Sequence, residues 1–174
     1  MKKILLIVLS FPITLVLYIV LFSNSIKYSE EIIINENIDA VTLLFDNPYN
    51  MKEYMYGFQS YNLVSGKIGE NGSKSEIIIE YLNEDSTQHK IVMNEEIILN
   101  NLPTEKKVTY KANGVFNIVS NRFEKISENK TRFINEQEFI FKGYKKIIGF
   151  FMPSVFKEQS KVYLQNFKDF VENH

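Results

Sequence analysis

The residues able to do chemistry are few, and their spacing is poor for catalysis. The 174-residue chain has no cysteine and two histidines, His89 and His174. Thiolate nucleophiles, disulfides and zinc–thiolate sites are excluded, and no histidine set remains for a metal cage. Glu95 and Glu96 resemble a carboxylate pair, but adjacent strand residues point to opposite faces. One is expected to face an interior and the other water. Glu136 and Glu138 do share a strand face, together with Arg132 and Ile134. The other face carries Phe133, Phe139 and Phe141, the better candidates for the inside, so these carboxylates are expected on the surface. His89 starts a strand beside the polar stretch 83–88, and a general base needs an orienting carboxylate and a pocket. It is expected to be a solvated strand-edge histidine. No G-x-x-x-x-G-K-[ST], G-x-G-x-x-G, H-E-x-x-H or G-x-S-x-G pattern occurs, so nucleotide and serine-hydrolase chemistry have no support.

The unusual feature is the aromatic load of 14 Phe and 10 Tyr. Phe116, Phe139, Phe141, Phe150, Phe151, Phe156, Tyr163 and Phe167 fall on the elements that would enclose an interior. Such a set packs as core, or it lines a pocket suited to apolar ligands.

Composition is that of a folded protein, with 45% hydrophobic and 24% charged residues, which excludes disorder as the main state. A net charge of −1 without a basic patch excludes a nucleic-acid partner. The N-terminus is different in kind. After Met1, Lys2 and Lys3 the chain is uncharged from Ile4 to Ile26. As a helix that run spans roughly 35 Å, enough for a hydrocarbon core of about 30 Å. Residues 1–26 are therefore expected to form a transmembrane anchor, the rival being a signal segment cleaved near Ser23-Asn24-Ser25. Lys2 and Lys3 favour a cytoplasmic N-terminus, placing residues 27–174 outside the cytoplasm. Without those two lysines the 20 basic side chains fall to 18 against 21 acidic. That domain is not drawn to anionic lipid by its net charge.

Residues 27–174 read as one domain. Residues 27–35 hold Ile32-Ile33-Ile34 and predict a first strand. Residues 35–46 predict a short helix capped by Asn37 or Asn35, with Ile38, Val41, Leu44 and Phe45 at helical spacing. Pro48 ends it, and 50–58 is ambiguous, readable as a second short helix. The period then changes to two. Segments 61–67, 75–82, 89–99, 106–112, 115–126 and 131–141 predict six strands. The breaks carry turn residues, and Asn113-Gly114 suits a two-residue type I′ hairpin. Short breaks imply an antiparallel meander. Residues 143–173 predict a long helix with an apolar stripe through Ile148, Met152, Val155, Phe156, Tyr163, Phe167 and Phe170. Pro153 either kinks it or restarts it.

This order resembles the START-like, or Bet v 1-like, superfamily, also called the SRPBCC or polyketide cyclase/dehydrase-like group. Residues 28–35 resemble its first strand and 38–46 the helix after it. Lys111-Ala112-Asn113-Gly114-Val115-Phe116-Asn117 resembles its central hairpin. Glu138-Phe139-Ile140-Phe141, with Gly143 and the helix containing Met152-Pro153, resembles its last strand and closing helix. The resemblance implies an α+β helix-grip fold, a curved seven-stranded antiparallel sheet wrapped on a long C-terminal helix. It implies a cavity for a hydrophobic small molecule or lipid, lined by Phe116, Phe139, Phe141, Phe151, Phe156 and Tyr163. No family catalytic motif is matched, and no cofactor is expected. A cyclase or hydrolase on this fold would draw on Glu95, Tyr110 or Arg122. A third expectation is an envelope protein that binds a partner and no small ligand.

Overall fold

Alternation and turn chemistry divide the chain into the elements seen in the computed structural model, which describes residues 14–18, 25–82 and 86–174. Strand β1 (Ser25–Ile34) leads to α1 (Ile38–Asp46), a 3-10 turn (Pro48–Asn50) and the short α2 (Met51–Tyr54). Six strands follow: β2 (Phe58–Ser65), β3 (Lys74–Leu82), β4 (Gln88–Asn101), β5 (Glu105–Ala112), β6 (Val115–Ser127) and β7 (Lys130–Phe141). Two helices close the chain, α3 (Lys145–Phe151) and α4 (Pro153–Glu172).

All seven strands form one antiparallel sheet in the order β1-β7-β6-β5-β4-β3-β2. Strands β2 to β7 are a plain meander, and β1 returns to pair with β7 from Ser25↔Ile140 to Ile34↔Thr131. The helices between β1 and β2 carry the chain from one sheet edge to the other. Asn113 and Gly114 both have positive φ, 46° and 74°, the type I′ geometry expected of that pair.

Local signals account for the helices. Asn37 caps α1, its Oδ1 accepting from Ala40 N at 2.9 Å. Asn47 stops α1 ahead of Pro48, and its side chain caps the 3-10 turn. The C-terminal helix is two helices, because Met152 leaves helical geometry (φ −126°, ψ 41°) and Pro153 opens α4 at N1. Proline has no N–H to continue the earlier helix, yet suits the first turn of a new one.

The buried core lies at one end of the space between the sheet and α4. Phe45 of α1 meets Phe123, Phe133 and Phe167 edge-on at 5.1, 5.5 and 5.5 Å. Phe123 and Phe133 stack at 4.5 Å, and Tyr54 meets Phe167 edge-on at 5.0 Å. Ile34, Val41, Leu164 and Val171 complete the cluster. Each such side chain contributes about 1.5–3 kcal/mol on burial.

One boundary changes. Ser25 and Ile26, assigned above to the membrane run, are strand residues paired with Ile140 and Phe139. The expected anchor otherwise falls largely on residues 1–13 and 19–24, outside the described residues. Among the described residues no helix is long and apolar enough to cross a membrane.

Candidate functional site

The other half of the same space is open. A cavity of about 580 Å³ lies between α4 and the concave sheet face, from β3 across to β7. Strands β3 and β4 supply an apolar wall of Ile79, Ile91 and Met93, with Met55 from the α2–β2 turn. Val115, Val119, Phe139 and Phe156 continue it across β6, β7 and α4. Strand alternation aims this parity inward.

A band of amides and hydroxyls crosses that apolar surface. Asn135 Nδ2 donates to Asn121 Oδ1 at 2.7 Å on the neighbouring strand. Gln137 Nε2 donates to Asn135 Oδ1 at 2.7 Å and to Ser160 Oγ on α4 at 2.9 Å. Asn117 Nδ2 donates to Gln137 Oε1 at 2.8 Å. Tyr28 Oη lies 2.9 Å from Ser160 Oγ and donates to the Phe156 carbonyl at 2.8 Å. The ladder satisfies most of its own polar groups, as buried amides must. Asn117 Oδ1 is buried with no protein partner.

Beside this band sits a second polar group. Glu95 is buried and accepts from Ser75 Oγ at 2.7 Å. Its cross-strand partner on β5 is Tyr110, which lines the cavity as does Tyr163. Tyr54 and Tyr163 meet edge-on at 5.5 Å. Burial pushes all three phenols up. For Tyr110 the Glu95 carboxylate adds to the rise, and for Tyr54 its neighbour Tyr163 does. For Tyr163 a hydrogen bond with Tyr54 partly offsets burial. Burial also raises Tyr28, against a lowering by Ser160. At neutral pH these groups are neutral and offer hydrogen bonds rather than charge.

Cationic side chains stand where the lining reaches solvent. Lys90 pairs with Glu80 at 3.6 Å, and Lys145 donates to the Asn113 carbonyl in the β5–β6 turn. Among the described residues no group of three or more His, Asp or Glu is placed to share a metal ion.

The six aromatic residues expected to line a cavity divide evenly. Phe139, Phe156 and Tyr163 face it. Phe141 is buried instead beneath α3, where a Cβ on Gly149 would come within 2.6 Å of its ring. Phe116 has the opposite parity to Val115 and Asn117 and lies half-buried on the outer face. Phe151 ends α3 and is 60% exposed, touching Phe150 edge-on.

Among the acid–base candidates, Glu95 and Tyr110 are inside. Arg122 is on the outer face, paired with Glu136 at 2.9 Å. Glu96 is outside with Lys74, and Glu138 pairs with Lys27. His89 departs from expectation: it is half-buried, stacks on Tyr81 at 5.5 Å, and both rings line the cavity. The polar loop before it suggested water, but its β4 position shares the inward parity of Ile91 and Met93. The amide ladder was missed. Its signal was present, since Asn135 and Gln137 have the same strand parity as Phe133 and Phe139.

No family model and no curated protein sequence matches the chain. Solved structures do. A conserved protein from Geobacillus kaustophilus is 12% identical with a TM-score of 0.68, covering 85% of this chain and 96% of that one. The Zhui aromatase/cyclase from Streptomyces sp. R1128 is 8% identical with a TM-score of 0.66, covering 85% and 94%. Norcoclaurine synthase from Thalictrum flavum, in complex with dopamine and hydroxybenzaldehyde, is 14% identical with a TM-score of 0.63, covering 87% and 90%. At these identities the likeness is one of fold.

Proposed function

We propose that this chain, which has the helix-grip fold of the START-like or Bet v 1-like superfamily, binds a largely apolar small molecule or lipid between its sheet and α4. The observation that carries the reading is the division of one interior into a packed aromatic half and an open half of about 580 Å³. Close-packed interiors leave few voids larger than a water molecule, and ligand pockets run to about 300–1,000 Å³. The apolar wall of Ile79, Ile91, Met93, Phe139 and Phe156 would take the body of the ligand. The ladder of Asn117, Gln137 and Ser160, with Tyr110 and Tyr163, would orient its few polar atoms. The complex of one structural neighbour with two small aromatic molecules is in keeping with this.

We infer in addition that the apolar run from Ile4 up to β1 anchors this domain, residues 25–174, outside the cytoplasm. Its support is the sequence pattern alone.

The test of binding is organic extraction of the full chain purified from cells, followed by mass spectrometry. One small apolar species in near-stoichiometric amount is expected. Ala112→Trp, which adds a ring to the lining, is expected to fold and yield none. Equal recovery of the species from both proteins would place it outside the cavity and overturn the reading.

A further inference from the structure

Five exposed apolar residues collect at one end of the molecule. Tyr144, Phe150, Phe151, Met152 and Val155 are between 40 and 72% exposed. They run from the start of α3 to the first turn of α4 and form an apolar ridge, with the Phe150 and Phe151 rings 5.1 Å apart. The underside of α3 is already occupied, because Gly149 lies directly on the Phe141 ring. The ridge is therefore the outward side of a helix whose inner side is packed.

Two features of the chain say what covers it. The first is where the rest of the chain enters. Strand β1 begins at Ser25 beside Ile140, next to the end of β7 from which α3 departs. The 24 residues before Ser25, apolar from Ile4 to Phe22, thus join the fold at the ridge end. The second is charge. Residues 139–157 contain Lys142, Lys145, Lys146 and Lys157 and no Asp or Glu, although the whole chain is slightly acidic. Lys157 is paired with Glu30 of β1 at 3.1 Å, so the cationic excess lies with the lysines of 142–146. Exposed aromatic and aliphatic side chains beside lysines are the composition of an interfacial helix, and lysines close to an anionic surface are attracted to it.

We propose that α3, Met152 and the first turn of α4 lie in the headgroup region of a lipid bilayer, with Phe150, Phe151, Met152 and Val155 dipped into it. The inference rests on the membrane-anchor reading. It has a consequence for the cavity. Lys145 and Phe156 belong both to this end of the molecule and to the cavity lining, so the docked domain presents its opening to the bilayer. An apolar ligand then exchanges with the membrane without crossing water.

The chain has no cysteine, so single-site labelling is clean. Phe151→Cys is labelled with an environment-sensitive nitrobenzoxadiazole dye in the full chain. The protein is reconstituted in vesicles of phosphatidylcholine and phosphatidylglycerol, with and without lipids spin-labelled at shallow depth. Leu43→Cys, exposed on α1 at the Phe133 end of the fold, is the control. The dye at position 151 is expected to shift to the blue and lose most of its emission to the spin label, while the dye at 43 does neither. Water-like emission at 151 overturns the proposal. A blue shift without quenching also overturns it, since protein rather than lipid then covers the ridge. Vesicle flotation after alkaline washing reads the anchor separately. A chain that does not float removes the premise, whereas one that floats with an unquenched dye at 151 leaves the anchor and sinks only the docking.

Discussion

The hydroxyl of Tyr28 on β1 donates to the carbonyl oxygen of Phe156 on α4 at 2.8 Å and lies 2.9 Å from Ser160 Oγ. This contact ties the first turns of the closing helix to an edge strand beside the cavity. Tyr28→Phe keeps the ring and removes the bond. A loss of about 0.5–1.5 kcal/mol is expected, measured by urea unfolding. Amide exchange should also quicken between Phe156 and Ser160. Unchanged exchange there would show that the helix is held by its apolar contacts alone.

Glu95 is a buried carboxylate held by Ser75 Oγ at 2.7 Å. Glu95→Leu leaves the Ser75 and Tyr110 hydroxyls without their acceptor, a cost of about 1–3 kcal/mol. Removing the Ser75 hydroxyl as well should recover part of that loss, because paired polar groups are cheaper to delete together than singly. A double-mutant cycle of Glu95→Leu with Ser75→Ala measures this, and strict additivity would count against the contact.

Gly149 has no room for a side chain. A Cβ there would come within 2.6 Å of the Phe141 ring, and that ring is fixed by Phe139 and Phe156 at 6.2 and 5.4 Å. Gly149→Ala should therefore destabilise by about 1–3 kcal/mol, the usual cost of overpacking, despite the better helix propensity of alanine. A thermal midpoint at or above that of the natural chain would mean that α3 lifts away freely.

Phe156 touches Phe139 and Phe141 at 4.9 and 5.4 Å. Phe156→Asp removes aromatic packing and sets a charge beside the apolar wall, with an expected loss of about 3 kcal/mol or more. In a domain of this size that lowers the melting temperature by roughly 6–12 °C. An unchanged midpoint would mean that this face of α4 is not seated on the sheet.

The strands were legible because period-two runs and turn residues agree with one another. Asn113-Gly114 even specifies its hairpin, and Asn37 and Pro48 bracket α1. The interior was harder to read. The parity of β7 carries Phe133, Asn135, Gln137, Phe139 and Phe141 on one face, so a row of amides was hidden within an apolar series. Phe116 failed on parity alone. The stripe through residues 143–173 holds from Phe156 onward, where Phe167 is buried with Tyr163 and Phe170 packed beside it. It fails at Met152 and Val155, because Met152 breaks the helix and residues before and after Pro153 belong to two different phases. Met152 and Val155 are exposed in consequence, while Leu164 and Val171, off the expected stripe, are buried. No periodicity distinguishes the filled half of the interior from the open half, because both are built from inward-facing aromatic residues.

Three phenols, Tyr54 buried and Tyr110 and Tyr163 partly buried, make a prediction at alkaline pH. Burial raises Tyr54, Tyr110 and Tyr163 above the ordinary tyrosine value of 10.0. In the unfolded chain they lose protons near pH 10, whereas the native state holds them to higher pH. Below about pH 10 both states are protonated and the stability from neutral, buried phenols is fully present. Above it the unfolded state binds fewer protons, so stability falls as pH rises, by up to about 1.4 kcal/mol per pH unit for each phenol. Tyr54 and Tyr163 are in contact, so their ionisations are coupled and their shares are not separable. Tyr110 is raised by burial first and then by Glu95, Tyr163 and Tyr54, so its variant reads the set through one member. Urea unfolding of the natural chain and of Tyr110→Phe across about pH 9 to 11 should show a shallower decline in the variant. Phenolate absorbance from the buried set should appear together with unfolding rather than before it. Equal slopes in the two proteins would mean that Tyr110 meets solvent through the cavity and ionises in the folded state.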